Sequence, residues 1–447
     1  MRVMLTPWPN PAHLYPVVPL AWALQSAGHE VCIASHAALA PRTAGVGLPA
    51  LALGDSSVTP IGPGNPWPAG LEARFERMTE QLALNPFDRE QWDIYYQFML
   101  PSMWDFQPYD ASPEDPHREL DELVRFARNW QPDLVLWDPC LPIGAIAAKA
   151  CGAAHGRMLW GLDYFAYNVD RVAERIGKPG GPTVDPLAET MRPGAERHGV
   201  EVDDELLVGQ FTVDPTPIGM RLPTSTRTVS VRWEPFSAQT PIPDWLHAPL
   251  DRPRVGLTLG LSQRLFFKDG WEHVAKLMDM VADLDIEVVA TLNADQLACV
   301  GTVPDNVRTI DYLPLNQLLP TCSALIHQGG LGTFAAASAL SVPQLIIDFE
   351  VDNGTTVVVG EDGVEQLATE KHTESSLTAN YVIARGAGLP LDIRQPVAEM
   401  QKQLVRILAE PSFQEGAASI YQDTVALPTP NHIVPVLERL TAQYRRR

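Results

Sequence analysis

Short apolar runs that end at a turn and restart with helical spacing recur along this chain, and that alternation constrains the fold more than any other feature. Arg2 to Thr6 reads as a strand. A Pro-rich turn follows, then LAWALQSAG (Leu20 to Gly28), spaced as a helix stopped by glycine, and then a second strand at Val31 to Ala34. PDLVLWDP (Pro132 to Pro139), PIGAIAAKACG (Pro142 to Gly152) and AHGRMLW (Ala154 to Trp160) repeat the order. Strand, turn, helix, strand is the signature of a parallel α/β unit. With 447 residues the chain is too long for one core, so two domains are expected. EPFSAQTPIPDWLHAPLDRP, from Glu234, is proline-rich and aperiodic, which places a linker at 235–253. After it the alternation restarts with RVGLTLGL, DGWEHVAKLMDMVADL, IEVVATL, NVRTIDYL, PLNQLLPTC, ALIH and QLIID. The expectation is an α/β chain of two Rossmann-like parallel-sheet domains, 1–234 and 254–429, with a ligand cleft at the carboxyl ends of their strands.

Lys plus Arg number 33 against 54 Asp plus Glu, a formal charge of −21. Nucleic acid and an anionic membrane surface are therefore excluded as general partners. An anionic small molecule needs a local exception to that field. The five cysteines are scattered and lack any metal-ligand spacing, so they read as reduced core thiols. No signal peptide and no span of transmembrane length is visible, which predicts a cytoplasmic protein.

Three turns carry chemistry. His13 follows the first strand, where a near-neutral intrinsic pKa suits a general base; the alternative is a histidine satisfied by a neighbouring carbonyl. Asp138 ends the strand LVLWD. It can hold the other ring nitrogen of His13 and stabilise the imidazolium formed on proton abstraction, or it can simply cap the helix that follows. HQGGLGT (His327 to Thr333) joins the strand ALIH to FAAASAL. A glycine turn at a helix N-terminus offers positive potential to an anion without any lysine. There His327 can donate to a phosphate oxygen, and Gly332 and Thr333 can add N–H and hydroxyl donors. Read blandly, it is an ordinary glycine-rich turn. It lacks the Walker A lysine and a full GxGxxG, which weakens ATPase and dehydrogenase readings.

AHLYPVVPLAWALQSAGHEV near the start and HQGGLGTFAAASALSVPQLI near the end together resemble the bacterial antibiotic glycosyltransferases of the two-domain GT-B fold. WQPDLVLWDP, GLTLGLSQR, NVRTIDYLPLNQLLPTC and PTPNHIVPVLERL extend the likeness over almost the whole chain. It is strongest to the subgroup that moves deoxysugars from TDP-sugars to macrolide or anthracycline aglycones. The resemblance implies an acceptor-binding N-terminal domain, a nucleotide-sugar-binding C-terminal domain, and a last helix (430–447) that crosses back to the first. It implies His13 as base, Asp138 as its orienting partner, and Ser262, His327, Gly330, Gly332 and Thr333 around the diphosphate. Leu313 is implied to present its backbone to the thymine, and Asp352 and Asn353 to contact the sugar. No metal and no cofactor is implied, the TDP-sugar being a substrate.

Counts from the two ends of the sugar-contacting region disagree by about 22 residues, which implies an insertion near 354–374, expected to be a surface loop. Two aromatic groups have an acceptor-wall or partner-surface reading beside a core-packing one: Trp92, Tyr95, Tyr96, Phe98, Trp104, Phe106 and Tyr109, and WGLDYFAYN (Trp160 to Asn168). The resemblance also implies an auxiliary protein, like a haem monooxygenase but inactive, on the N-terminal domain. Two other functions stay open. One is a catalytically silent sugar-nucleotide-binding scaffold; the other is a sugar-nucleotide epimerase, which would need no acceptor.

Overall fold

The computed structural model describes residues 1–55, 71–103, 114, 117–238, 240–261, 271, 273–348, 355–359, 365–369 and 375–446. Seven strands arise before residue 231: β1 (Arg2–Thr6), β2 (Glu30–His36), β3 (Ala50–Leu53), β4 (Leu134–Trp137), β5 (Ala154–Met158), β6 (Thr212–Asp214) and β7 (Thr228–Ser230). They form one parallel sheet in the order 3-2-1-4-5-6-7. β8 (Arg254–Thr258), β9 (Glu287–Thr291), β10 (Val307–Ile310), β11 (Ala324–His327) and β12 (Gln344–Asp348) follow. Next come β13 (Thr355–Val359) and β14 (Glu365–Thr369), and finally β15 (Gly388–Asp392). The second sheet is parallel too, in the order 10-9-8-11-12-15. Helices cover both faces of each sheet, which is why β4 (LVLW) and β11 (ALIH) are buried at every position.

Each sheet reverses its winding next to its first strand. The reversal lies between β1 and β4 in the first sheet and between β8 and β11 in the second. The strand ends diverge there and leave a crevice, the usual ligand position in open parallel sheets. In the first sheet Thr6 pairs with Trp137, so Asp138 emerges level with the turn that carries His13. The helix Ile143–Cys151 lies close over this place because Gly144 faces it: a Cβ there would come within 2.7 Å of the Trp137 Cβ.

One face of the first sheet packs on Ile433, Val434, Leu437 and Leu440 of the last helix, Pro430–Tyr444. Arg445 then reaches Asp133 at 2.5 Å. The other face builds a large core with Trp92, Tyr95 and Tyr96, all fully buried, and with Phe334, Ile346 and Tyr381 from the second half. These aromatics are core, as are Tyr164, Phe165 and Tyr167. The Phe98 side chain and residues Trp104, Phe106 and Tyr109 lie outside the described residues.

The linker is fastened to both halves. Phe236 sets its ring edge-on to Tyr15 and Trp22, at 5.5 and 5.2 Å between centroids. Ala238 O accepts from the Tyr312 hydroxyl at 2.9 Å, and Thr240 O from Gln317 Nε2 at 2.9 Å. The guanidinium groups of Arg254 and Arg308 lie over the Trp245 ring, 5.7 and 4.5 Å from its centroid, and buried Arg254 also holds Leu246 O at 2.6 Å.

The insertion is not simply a surface loop. β13 and β14 pair antiparallel, from Thr355 opposite Thr369 to Val359 opposite Glu365. The β-branched run TTVVV favours a strand.

Candidate active site

The short helix Pro11–Leu14 opens on Asn10, whose side chain accepts from Ala12 N at 2.8 Å. This fixes His13 at the mouth of the first crevice with only 7% of its surface exposed. Its Nδ1 lies 2.7 Å from Asp138 Oδ2. Trp8 N also donates to Oδ2, at 3.1 Å, while Oδ1 accepts from Cys140 N at 2.8 Å and from Trp160 Nε1 at 3.1 Å. Four donors thus converge on one buried carboxylate, which can only be an acceptor toward all of them. His13 must therefore carry its proton on Nδ1 and leave Nε2 as the basic nitrogen. Asp138 does not cap the helix behind it, whose N-cap is Pro142; its carboxylate holds the backbone N–H groups of Trp8 and Cys140 instead.

Two indoles flank the imidazole. Trp160 lies 4.0 Å from it between centroids and Trp8 lies 5.0 Å away. Packed against it, the two indoles limit how far the imidazole can turn. Trp160 sits in a loop held by buried Arg157, which makes two bonds to Asp163 at 2.6 and 2.7 Å, one to Thr212 Oγ1 at 2.6 Å and one to Val208 O at 2.8 Å. The sequence placed Trp160 among aromatics of uncertain role. Its indole nitrogen, aimed at Asp138, and its partial exposure set it apart from its buried neighbours.

At the second crevice β11 ends in His327, and the helix Leu331–Ala339 starts from Gly330 with no side chain capping it. Thr333 N–H returns to Gly330 O at 3.1 Å, leaving the hydroxyl, while the first N–H groups of the helix have no acceptor within it. His327 departs from expectation. Its ring is fully buried, Nδ1 accepts from Gly329 N at 3.1 Å, and Nε2 therefore donates to Gln344 Oε1 at 3.0 Å. Burial, opposed by the Gln344 bond, pushes its pKa down to about 4. With both nitrogens engaged and no charge at neutral pH, His327 shapes the glycine turn and has no proton free for a phosphate.

Substitution separates the two roles. Asparagine places its amide where Nδ1 stands, and glutamine where Nε2 stands. His327→Asn is expected to keep TDP affinity within about threefold, because an acceptor for Gly329 N–H remains. His327→Gln is expected to weaken it about 10-fold by orphaning that buried donor. Calorimetric titration with TDP reads both, and the reverse order would indicate direct contact through Nε2.

Leu313, just beyond β10, buries its side chain with Leu246, Val289 and Leu318. That anchors the loop whose backbone is the expected base-facing segment. Ser262, Asp352 and Asn353 lie outside the described residues.

Two doubly wound parallel sheets, each with a switch point beside its first strand, define the two-domain GT-B architecture of glycosyltransferases. Residues 22–260 match the N-terminal domain, and residues 275–355 the C-terminal domain, of erythromycin biosynthesis protein CIII-like proteins. The chain belongs to that family. It is 39% identical over 469 residues to aclacinomycin-T 2-deoxy-L-fucose transferase of Streptomyces galilaeus, covering 100% of this chain and 97% of that one. It is also 39% identical over 461 residues to 10-deoxymethynolide desosaminyltransferase of Streptomyces venezuelae, covering 100% and 98%. Among solved structures, the glycosyltransferase VinC in complex with dTDP superposes with a TM-score of 0.74 at 33% identity, covering 99% of this chain and 100% of that one. Spinosyn forosaminyltransferase SpnP gives 0.76 at 34%, covering 99% of each.

Proposed function

We propose that this protein is an inverting glycosyltransferase that moves a deoxysugar from a TDP-sugar to a hydroxyl of a macrolide- or anthracycline-like polyketide in antibiotic biosynthesis. The observation that carries the reading is the His13–Asp138 pair, held at 2.7 Å at a switch point with Nε2 left basic. In the reaction, His13 Nε2 takes the acceptor hydroxyl proton as the oxygen attacks the anomeric carbon. The bond from that carbon to the diphosphate breaks, and TDP leaves with the electron pair. Asp138 holds the imidazolium in place. The uncapped helix at Gly330, with Gly332 and the Thr333 hydroxyl, receives the charge on the leaving group. Ser262, the Leu313 backbone, Asp352 and Asn353 complete the donor site in this reading.

The family's named transferases and the dTDP complex of VinC support that donor class. No helix among the described residues is long and apolar enough to cross a membrane, which fits a cytoplasmic enzyme. An inactive haem-monooxygenase-like auxiliary protein would dock on the N-terminal half, where Phe87 and Ile176 leave apolar surface exposed.

The test is product analysis by mass spectrometry, with a panel of TDP-deoxysugars and macrolactone or anthracyclinone acceptors, with and without co-expressed auxiliary proteins. Glycoside should form with wild type and fall roughly 1,000-fold with His13→Ala. Sugar isomerisation without acceptor would make it an epimerase. TDP binding with no product in any combination would make it a scaffold.

A further inference from the structure

The base and the helix that receives the leaving group lie on different halves of the chain, so their separation is set where the halves touch. One such contact is closer than the rest of the packing requires. The turn Ile218–Met220, between β6 and β7, lays Gly219 against the ring of Tyr381, on the helix Ser375–Ala384. A Cβ at Gly219 would stand 3.0 Å from Tyr381 Cε2 and 3.7 Å from Cδ2. The first distance is inside ordinary carbon–carbon contact. The φ of Gly219 is not positive, so its backbone suits any residue, and a side chain there would violate only the approach of the ring.

Both partners are held. The Tyr381 hydroxyl donates to Asp423 Oδ2 at 3.0 Å, Asp423 pairs with Arg385, and the Arg385 guanidinium lies over the Tyr381 ring, 5.3 Å from its centroid. Phe334 meets the ring edge-on, at 5.9 Å between centroids. It is buried, and it belongs to the helix Leu331–Ala339, whose uncapped N-terminus opens on the second crevice. On the other side, Arg221 steadies the turn by donating to Thr216 O at 2.9 Å and pairing with buried Asp214 at 3.0 Å. The Thr216 hydroxyl donates to Gly161 O at 3.3 Å, and Gly161 follows Trp160, whose indole donates to Asp138. Met220 and Leu222 share one apolar cluster with Phe334 and Tyr381. Packed and hydrogen-bonded groups thus run from the base assembly to the donor helix through the contact of Gly219 with Tyr381. A close-packed interior passes a displacement on rather than absorbing it.

We propose that Tyr381 is a positioning residue for sugar transfer: its ring, seated on Gly219, sets the distance between the base in the first crevice and the departing diphosphate in the second. This rests on the transferase reading given above. Tyr381 and Gly219 touch no substrate; they act by holding the two reactants in line, and a misplacement of about 1 Å can cost about 100-fold in rate.

Gly219→Ala, Tyr381→Leu and the double variant test it. The readouts are initial rates with a productive donor and acceptor pair, calorimetric titration with TDP, and urea unfolding to show that each variant is folded. Gly219→Ala sets a methyl group against the held ring and is expected to lower kcat about 10-fold, a shift of a few tenths of an ångström being enough. Tyr381→Leu removes the ring and should lower kcat about as much; it tests the contact without added volume if Gly219→Ala does not fold. The Kd for TDP should stay within about twofold of wild type in both, since the donor crevice is unaltered. In the double variant the methyl group meets a shorter side chain, so kcat should exceed that of either single variant. A folded single variant with wild-type kcat overturns the inference, as do losses that simply add in the double variant. A fall in kcat that TDP affinity follows also overturns it, by making Tyr381 a support of the donor helix alone. If wild type forms no glycoside with any pair, the transferase reading fails and the inference falls with it.

Discussion

Asp138→Asn is expected to lower kcat roughly 1,000-fold, although it removes a single charge and keeps the shape. The carboxylate accepts from Trp8 N and His13 on one oxygen and from Cys140 N and Trp160 on the other. An amide in its place has one NH2 end, and either orientation sets that end against two donors. If it faces Cys140 and Trp160, two buried N–H groups lose their acceptor. If it faces His13, the imidazole must move its proton to Nε2, the atom that has to be basic. Stability should therefore fall too, by about 2 kcal/mol, the scale of a buried donor left unpaired. Initial rates with a productive donor and acceptor pair, together with urea unfolding, measure both effects. Activity within threefold of wild type would remove Asp138 from the base assembly.

Arg157→Met should have the largest effect on stability. The guanidinium is fully buried and binds Asp163, Thr212 and Val208 O at once. Removing it leaves the Asp163 carboxylate buried without its cation, at a cost of about 3–5 kcal/mol. The double variant Arg157→Met/Asp163→Leu should recover part of that, because the orphaned charge is gone. Recovery is incomplete because Asp163 also caps the helix Tyr164–Arg175 through Ala166 N at 3.0 Å. Urea unfolding of wild type and the two variants decides it. A single variant as stable as wild type would show that the pair contributes nothing net. Because the same loop presents Trp160 to Asp138 and His13, the proposed base assembly, the single variant should also lose activity at temperatures where it stays folded.

The two-sheet architecture was legible because buried parallel strands write continuous apolar runs, and VML, LVLW, ALI and LII are such runs. β6 and β7, three residues each, write too little to be seen. The helix Pro411–Ala426 was missed for another reason: its apolar residues Phe413, Ala417 and Ile420 are diluted by small and polar neighbours. At the active site, residue types at strand ends named His13 and Asp138, but their contact depends on β1 lying beside β4, which only the folded sheet sets. His327 illustrates the converse. Its partner Gln344 opens the adjacent strand, so the bond that takes its proton from any ligand comes from strand pairing, which the glycine motif does not encode.

The fastening of the linker bears on how this chain can be recombined with its relatives. Phe236 draws its ring contacts from the first half, while the carbonyls of Ala238 and Thr240 draw their hydrogen-bond donors from the second, so the connector is a splice in which each half supplies its own clasp. A hybrid that joins one parent's first half to another's second half inherits matched clasps only if the junction falls between Phe236 and Ala238. Cut earlier, the foreign residue at 236 meets Tyr15 and Trp22; cut later, the foreign loop bearing the residue at 312 meets a backbone it did not evolve with. The position of the seam, more than the pairing of parents, then decides whether such a hybrid assembles both crevices.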